Sequence, residues 1–253
     1  MRFTHFFFLL YIFIFFSCKE QKLQLTKIEG SQIQITDSLN IDAEIDDFIR
    51  PYRNHLQKKI DSVLAYSKEE YSKTDNKFNT VISNFIADAV FEESYPIFKK
   101  RTGKDIDMVM LNYGSIRSSI SKGNITINTA YRVMPFENSI VVVTMKGSQI
   151  KNLISYLVKS KEAHPISKLK LSIDKDFNLI DYRINGNIVE TDKNYYVATN
   201  YYLYNGGDGM TFFKPSDSLY VLNYKIRNAL IDNFIKVDTL QTVRDDRFIQ
   251  IIN

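Results

Sequence analysis

The spacing of apolar and polar positions along the chain predicts helices that alternate with short strands. Over residues 42–66 the apolar side chains recur every three or four positions, which predicts an amphipathic helix. Pro51 interrupts this pattern and predicts a kink or a helix start there. Asn79 or Thr80 is expected to cap a second helix that ends before Pro96.

Strands are predicted where apolar or alternating runs are short. The run 107–111 is almost wholly apolar and predicts a buried strand that leads into a polar loop. Further strands are expected at 123–128, 139–145, 168–173, 179–184, 195–199 and 247–252. The Asn185–Gly186 pair indicates a hairpin turn. Helical spacing returns over 147–158 and 222–235, so the chain is expected to end on a helix followed by a strand.

The first residues have the pattern of a targeting segment. Residues 1–17 hold one charge, Arg2, ahead of an apolar run that is short for a membrane span and ends in a small residue. A signal peptide is therefore predicted at 1–17. Residues 18–41 are polar and are predicted to be a tether, with one edge strand at 32–36.

Cys18 is the only cysteine, so no disulfide can form within one chain. Its place resembles the lipobox of bacterial lipoproteins, in which the cysteine is lipidated and becomes the new N-terminus. Phe15 departs from the leucine usual in that motif. The resemblance implies lipidation at Cys18 and a lipid-anchored protein of the cell envelope, in the outer membrane and facing the periplasm or the surface. An ordinary or uncleaved leader is the alternative.

Composition limits the function classes. The chain has 253 residues, of which 44% are hydrophobic and 25% charged, so one large folded domain, with or without a tail, is expected. That domain is predicted at residues 42–253. The net charge of +4 is too small to indicate binding to a nucleic-acid polymer.

The stretch 196–210 has an unusual density of glycine. Gly206, Gly207 and Gly209 bracket Asp208, which suits a turn with positive φ angles or a close approach of ligand to the main chain. The Asp208 carboxylate is expected to stand open, with nothing beside it to limit access. Aromatic residues precede it at Tyr201, Tyr202 and Tyr204. A carboxylate, a ring and open backbone suit a ribose and its base. A tight hairpin turn is the alternative.

A second polar loop follows the buried strand at 107–111. Arg117 has a planar fork of donors that matches a phosphate, and the Asn112 amide can contact a base edge with both a donor and an acceptor. Phe136 follows a proline at a strand junction, where its ring is expected at a loop edge. The alternatives are a surface arginine and a core phenylalanine.

The order of these segments resembles the C-terminal, substrate-binding domain of the 5'-nucleotidase family. The resemblance spans residues 42–251, and its motifs lie at 79–89, 112–117, 134–138, 146–147, 196–200 and 205–209. It implies an α+β fold with mixed sheets flanked by helices. The loop at 112–117 departs from the family pattern, since Tyr113 and Ser115 stand where glycine is usual. A family arginine ahead of the first helix motif is replaced by Phe78, with Lys77 beside it.

The resemblance implies one substrate-binding set, made up of Asn112, Arg117, Phe136, Tyr202, Gly207 and Asp208. In the family pattern, Phe136 and Tyr202 take the places of two aromatic residues that hold the base between them. Asn112 falls where a side chain touches the base, Asp208 where a carboxylate takes the ribose hydroxyls, and Arg117 where a guanidinium meets phosphate. Stacking between base and ring is worth about 1–3 kcal/mol per base and tolerates different bases.

Catalytic machinery is not predicted in this chain. The family hydrolyses its substrate in an N-terminal metallophosphoesterase domain that binds two metal ions. The chain has three histidines, His5, His55 and His164, and none stands at ligand spacing from an aspartate or a second histidine. No catalytic residue, metal ligand or cofactor is therefore expected here. Divalent metals are expected on a separate metallophosphoesterase, with which this chain forms a split 5'-nucleotidase for nucleotide catabolism. A non-catalytic nucleotide-binding envelope lipoprotein is the alternative.

Overall fold

The computed structural model describes residues 24–216 and 218–252, which divide into two compact units at the boundary between Phe48 and Ile49. The predicted signal peptide and Cys18 lie outside the described residues. Residues 24–42 form no strand, so the edge strand expected at 32–36 is absent. Within the described ranges, no helix is both long and apolar enough to cross a membrane.

The first helix, α1 (Ala43–Ile60), is shorter than its pattern predicts. Its start is capped by the Asp42 carboxylate, which accepts from the backbone N–H groups of Glu44 and Ile45 at 3.0 and 3.2 Å. The helix continues through Pro51, so the predicted start at that proline is wrong. Strand β1 (Val63–Ser67) replaces its predicted end, because these residues pair with strands far away in the sequence.

The strands form three sheets. The three-stranded sheet has the order β11 (Thr239–Leu240), β1, β3 (Gly123–Thr126). The five-stranded sheet has the order β10 (Leu219–Lys225), β4 (Ser139–Lys146), β9 (Asn194–Asn200), β2 (Met108–Met110), β5 (Ile166–Ser167). The four-stranded sheet has the order β12 (Phe248–Gln250), β6 (Leu169–Ile173), β7 (Leu179–Ile184), β8 (Asn187–Ile188). Parallel and antiparallel pairs both occur, so the sheets are mixed.

Five further helices flank these sheets: α2 (Val81–Thr102), α3 (Ile127–Val133), α4 (Gly147–Ser160), α5 (Tyr201–Tyr204) and α6 (Ile226–Val237). The fold is therefore α+β with mixed sheets flanked by helices, as predicted. The side chains of strand β4 divide between two hydrophobic cores, one on each face of the strand. Val142 packs in a cluster with α2 and α6, whereas Val141 and Val143 pack in a cluster with α4. Because alternate side chains reach opposite faces, this mainly apolar strand separates two cores.

The ends of several elements differ from their predicted positions. Helix α2 is capped by Thr80 as expected but continues through Pro96 to Thr102, burying Phe98 completely. The last helix begins at Ile226 rather than Leu222, because residues 219–225 pair with β4. Helix α3 has no counterpart among the predicted elements.

The Asn185–Gly186 hairpin is present between β7 and β8. Both residues have positive φ angles, 49° and 78°, which suit the turn that follows the twist of an antiparallel pair.

Candidate functional site

A cleft of about 350 Å³ brings together five of the six predicted binding residues. Its lining consists of Asn112, Gly114, Arg117, Phe136, Asn138, Tyr202 and Asp208. These residues come from the loop after β2, the loop before β4, helix α5 and the turn after it. Gly114 and Asn138 were missed by the sequence analysis, although each is near a residue that it named. Gly207 does not line the cleft.

Asp208 is held by its neighbours rather than left open. Its Oδ2 accepts from the Asn112 amide at 2.7 Å, and its Oδ1 accepts from the Tyr202 hydroxyl at 2.8 Å. Its backbone carbonyl accepts from the Tyr156 hydroxyl at 3.0 Å. The expectation of an unaccompanied carboxylate is therefore wrong. Each carboxylate oxygen carries one of these bonds and keeps acceptor capacity for a ligand.

Gly207 supports the Tyr202 ring. A Cβ atom at Gly207 would lie 2.4 Å from Cε1 of Tyr202, which is closer than such atoms can approach. The segment Gly207–Gly209 is a tight turn of 3-10 type rather than a hairpin, and the Asp208 backbone in it is left-handed, with a φ of 52°. The clustered glycines therefore allow a tight turn, and Gly207 allows the Tyr202 ring to pack directly on the backbone.

The rings of Phe136 and Tyr202, called the clamp rings because they are expected to hold a base between them, both remain partly open to solvent in the cleft. Phe136 is 42% exposed and Tyr202 is 46% exposed. The Arg117 guanidinium carbon lies 5.9 Å from the centroid of the Phe136 ring. Arg117 is exposed and pairs with no carboxylate in the part of the chain that the structure describes. Its charge is therefore available to an anionic group beside the ring.

The two asparagines of the cleft have different surroundings. Asn112 is buried, donates to Asp208, and accepts a 3.4 Å bond from the Asn200 amide. Asn138 is half-buried, and its side chain has no hydrogen-bond partner among residues 24–216 and 218–252. The free amide in the cleft is that of Asn138.

His164 lies behind the Asn112 loop. Its Nδ1 lies 3.1 Å from the Tyr113 backbone nitrogen, from which it accepts when unprotonated, and 3.3 Å from the Leu111 carbonyl oxygen, to which it donates when protonated. The other ring nitrogen is Nε2. That nitrogen is buried without a hydrogen-bond partner in the described structure, 3.6 Å from a Glu162 carboxylate oxygen. Burial lowers the pKa of His164 to about 4, against the opposing effects of the Leu111 carbonyl and the Asp208 charge.

A larger cleft, of about 680 Å³, lies beside α2 and the C-terminal segment. Its arginine, Arg247, bonds to the carboxylates of Asp88 and Asp245. Asn84 contacts Asp245 as well, at 3.4 Å. The polar residues of α2 therefore tie the helix to the segment just before the last strand, and the charge of Arg247 is already paired.

Metal ligands are not clustered in the described residues. Nowhere in those ranges do three side chains of His, Cys, Asp or Glu come together. The described residues do not fit the two-metal centre that the family resemblance implies for catalysis.

The fold and the cleft define an α+β domain in which aromatic rings, an oriented carboxylate and an arginine with no described carboxylate partner line one cleft. Residues 61–215, more than half of the chain, match the family model described as 5'-nucleotidase, C-terminal domain. The chain belongs to this family.

Relatives and solved structures extend this result. The chain is 24% identical over 235 residues to a trifunctional nucleotide phosphoesterase of Bacillus subtilis, covering 81% of this chain and 15% of that protein. It is 21% identical over 249 residues to an apyrase of Tabanus yao, covering 90% of this chain and 45% of that one. A crystal structure of a 5'-nucleotidase precursor from Thermus thermophilus shares the fold, with a TM-score of 0.69, 20% identity, and coverage of 81% of this chain and 43% of that one. The chain thus spans less than half the length of these proteins.

Proposed function

We propose that this chain binds a nucleotide in the cleft lined by Phe136, Tyr202 and Asp208. The observation that carries the proposal is the Asp208 carboxylate, oriented by two hydrogen bonds between the Asn112 loop and an exposed aromatic ring. The base would stack between Phe136 and Tyr202, and Arg117 would meet the phosphate. Family membership and the names of the relatives support this choice of ligand.

Ribose recognition follows from the acceptor capacity of Asp208. Asn112 and Tyr202 each use one lone pair on a different carboxylate oxygen. One further acceptor position on each oxygen suits two adjacent hydroxyl groups, as ribose has and deoxyribose lacks. Asn112 therefore acts here as the group that holds Asp208, and the free amide of Asn138 contacts the base edge.

The proposed biological role is the nucleotide-recognition half of a split 5'-nucleotidase. A separate metallophosphoesterase would bind the divalent metals and hydrolyse the phosphate, while this chain holds base and ribose. The second candidate is a lipoprotein that binds nucleotide without any hydrolysis. The free charge of Arg117 beside the clamp serves either role.

Calorimetry with the purified protein tests the binding proposal. Adenosine monophosphate should bind, and its deoxyribose analogue should bind more weakly.

The protein alone should show no appreciable phosphatase activity with Mn, Mg, Zn or Co. Adding a metallophosphoesterase from the same organism should create or increase nucleotidase activity if the split-enzyme role is correct. Robust metal-dependent hydrolysis by this chain alone, lost on changing His55 or His164, would overturn it.

Tyr202→Phe separates stacking from ribose recognition. The ring remains, but Asp208 loses the hydroxyl that donates to Oδ1. We expect the preference for ribose over deoxyribose to fall by about 1 kcal/mol, roughly fivefold, with less change in base stacking. Competition binding with the two sugars measures this ratio. Tyr201→Phe is the matched control, because Tyr201 is exposed and does not line the cleft. An equal loss of preference in both variants would contradict the role of the Tyr202 hydroxyl.

We also propose that Cys18 carries a lipid anchor in the cell envelope. Cys18→Ser is expected to release the protein from the membrane fraction, because lipid chains on one cysteine are the attachment proposed here. Fractionation followed by immunoblotting checks this outcome. Firm membrane association of a Cys18→Ser protein whose leader has been cleaved would contradict it.

A further inference from the structure

Phe136 lies on a short loop whose residues before and after the ring both bond to the first two residues of α6, Ile226 and Arg227. The Arg227 side chain donates to the Pro135 carbonyl at 2.9 Å and approaches the Met134 carbonyl at 3.5 Å. It also pairs with the carboxylate of Glu137, the residue that follows Phe136 in the sequence. At the end of the loop, the Asn138 carbonyl accepts from the Ile226 N–H at 3.0 Å.

Arg227 is built into the protein rather than placed on its surface. It is 3% exposed, and its guanidinium carbon lies 3.9 Å from the centroid of the Tyr131 ring on α3. Glu137 is mostly exposed and also pairs with Lys225, and the hydrogen bonds and charges of Lys225 and Arg227 lower the pKa of its carboxyl. The carboxylate therefore stays charged at neutral pH and keeps its attraction for Arg227.

We propose that Arg227 is a positioning residue of the base site, which fixes the loop so that the Phe136 ring faces the cleft. This inference rests on the proposed function, because the ring is given the task of stacking on a base. The planar guanidinium reaches a carbonyl and a carboxylate together, which one ammonium group does less well. Arg227 touches no ligand in this scheme, and its effect on binding passes through Phe136.

A double-mutant cycle tests the proposal, with adenosine monophosphate as the probe. Arg227→Gln should weaken its affinity about 5- to 20-fold in the otherwise unchanged protein and less than about twofold in a Phe136→Ala background. Arg227→Lys should recover part of the loss. Arg183→Gln, which removes a surface ion pair with Asp181, should leave the affinity unchanged. Equal losses in both Phe136 backgrounds would mean a general structural role and would overturn the proposal.

Two further measurements keep the proposal testable. If Arg227→Gln does not fold, the same cycle with Glu137→Gln decides, since the Glu137 side chain is 60% exposed.

If the unchanged protein does not bind adenosine monophosphate, the proposed function fails, but a fluorescence reporter on the loop still decides the positioning role. The chain has no tryptophan, so Phe136→Trp gives a single probe of the loop. Adding Arg227→Gln should lower its anisotropy and increase acrylamide quenching, and unchanged values would overturn the positioning role.

Discussion

Removing the two clamp rings is expected to abolish measurable nucleotide binding. Phe136→Ala and Tyr202→Ala should each cost about 1–3 kcal/mol, or roughly 5- to 150-fold in affinity, because each ring stacks on one face of the base. The loss should depend little on which base is bound, since every base offers a stacking face. Calorimetry with purine and pyrimidine monophosphates, on both single variants and the double variant, measures it.

Two matched variants sharpen this prediction. Tyr201→Ala removes an adjacent exposed ring outside the cleft and should leave the affinity nearly unchanged. Gly207→Ala should reproduce much of the Tyr202→Ala loss while keeping every side chain that is proposed to contact the ligand, because its Cβ would displace the ring of Tyr202. Unchanged affinity in Phe136→Ala, Tyr202→Ala and Asp208→Ala together would place the nucleotide elsewhere or exclude it.

Acidification is expected to destabilise the fold through His164. Its pKa is lowered from 6.5 to about 4 in the folded protein, chiefly by burial. The unfolded chain therefore binds this proton at a higher pH than the folded protein does. The resulting stability is fully present above pH 6.5 and is lost as the pH falls towards 4, by roughly 3 kcal/mol in the free energy of unfolding.

Denaturant unfolding at a series of pH values, from 7 to about 4, measures this effect. Carboxyl groups whose pKa is lowered in the folded protein, such as those of Asp245 and Glu137, also reduce stability near the acid end of that range, because the unfolded chain takes up their protons first; the useful quantity is therefore the difference between variants. His164→Gln should flatten the decline, since its amide oxygen can still accept from Tyr113 but takes up no proton. His55→Gln is the control, because His55 is exposed on α1 and should leave the decline unchanged. The same decline in His164→Gln as in the unchanged protein would contradict the prediction.

The chain sequence by itself predicted the elements whose signals are local. The apolar runs at 107–111 and 139–145 became buried strands because such residues cannot remain in water, whatever their partners. Asn185–Gly186 predicted its hairpin because few residue pairs adopt two positive φ angles. The order of the motifs predicted the family, and five of the six named binding residues lie together in one cleft.

Tertiary structure decided what depends on partners distant in the sequence. Residues 63–66 and 222–225 fall within spacing that predicts helices, and only pairing with β3, β11 and β4 makes them strands. The same reason applies to the site. Asn112 differs from Asn138 chiefly because it donates to Asp208 and accepts from Asn200, which lie 96 and 88 positions further along the chain. Arg227 reaches the Phe136 loop from about 90 positions away, so no local pattern connects them.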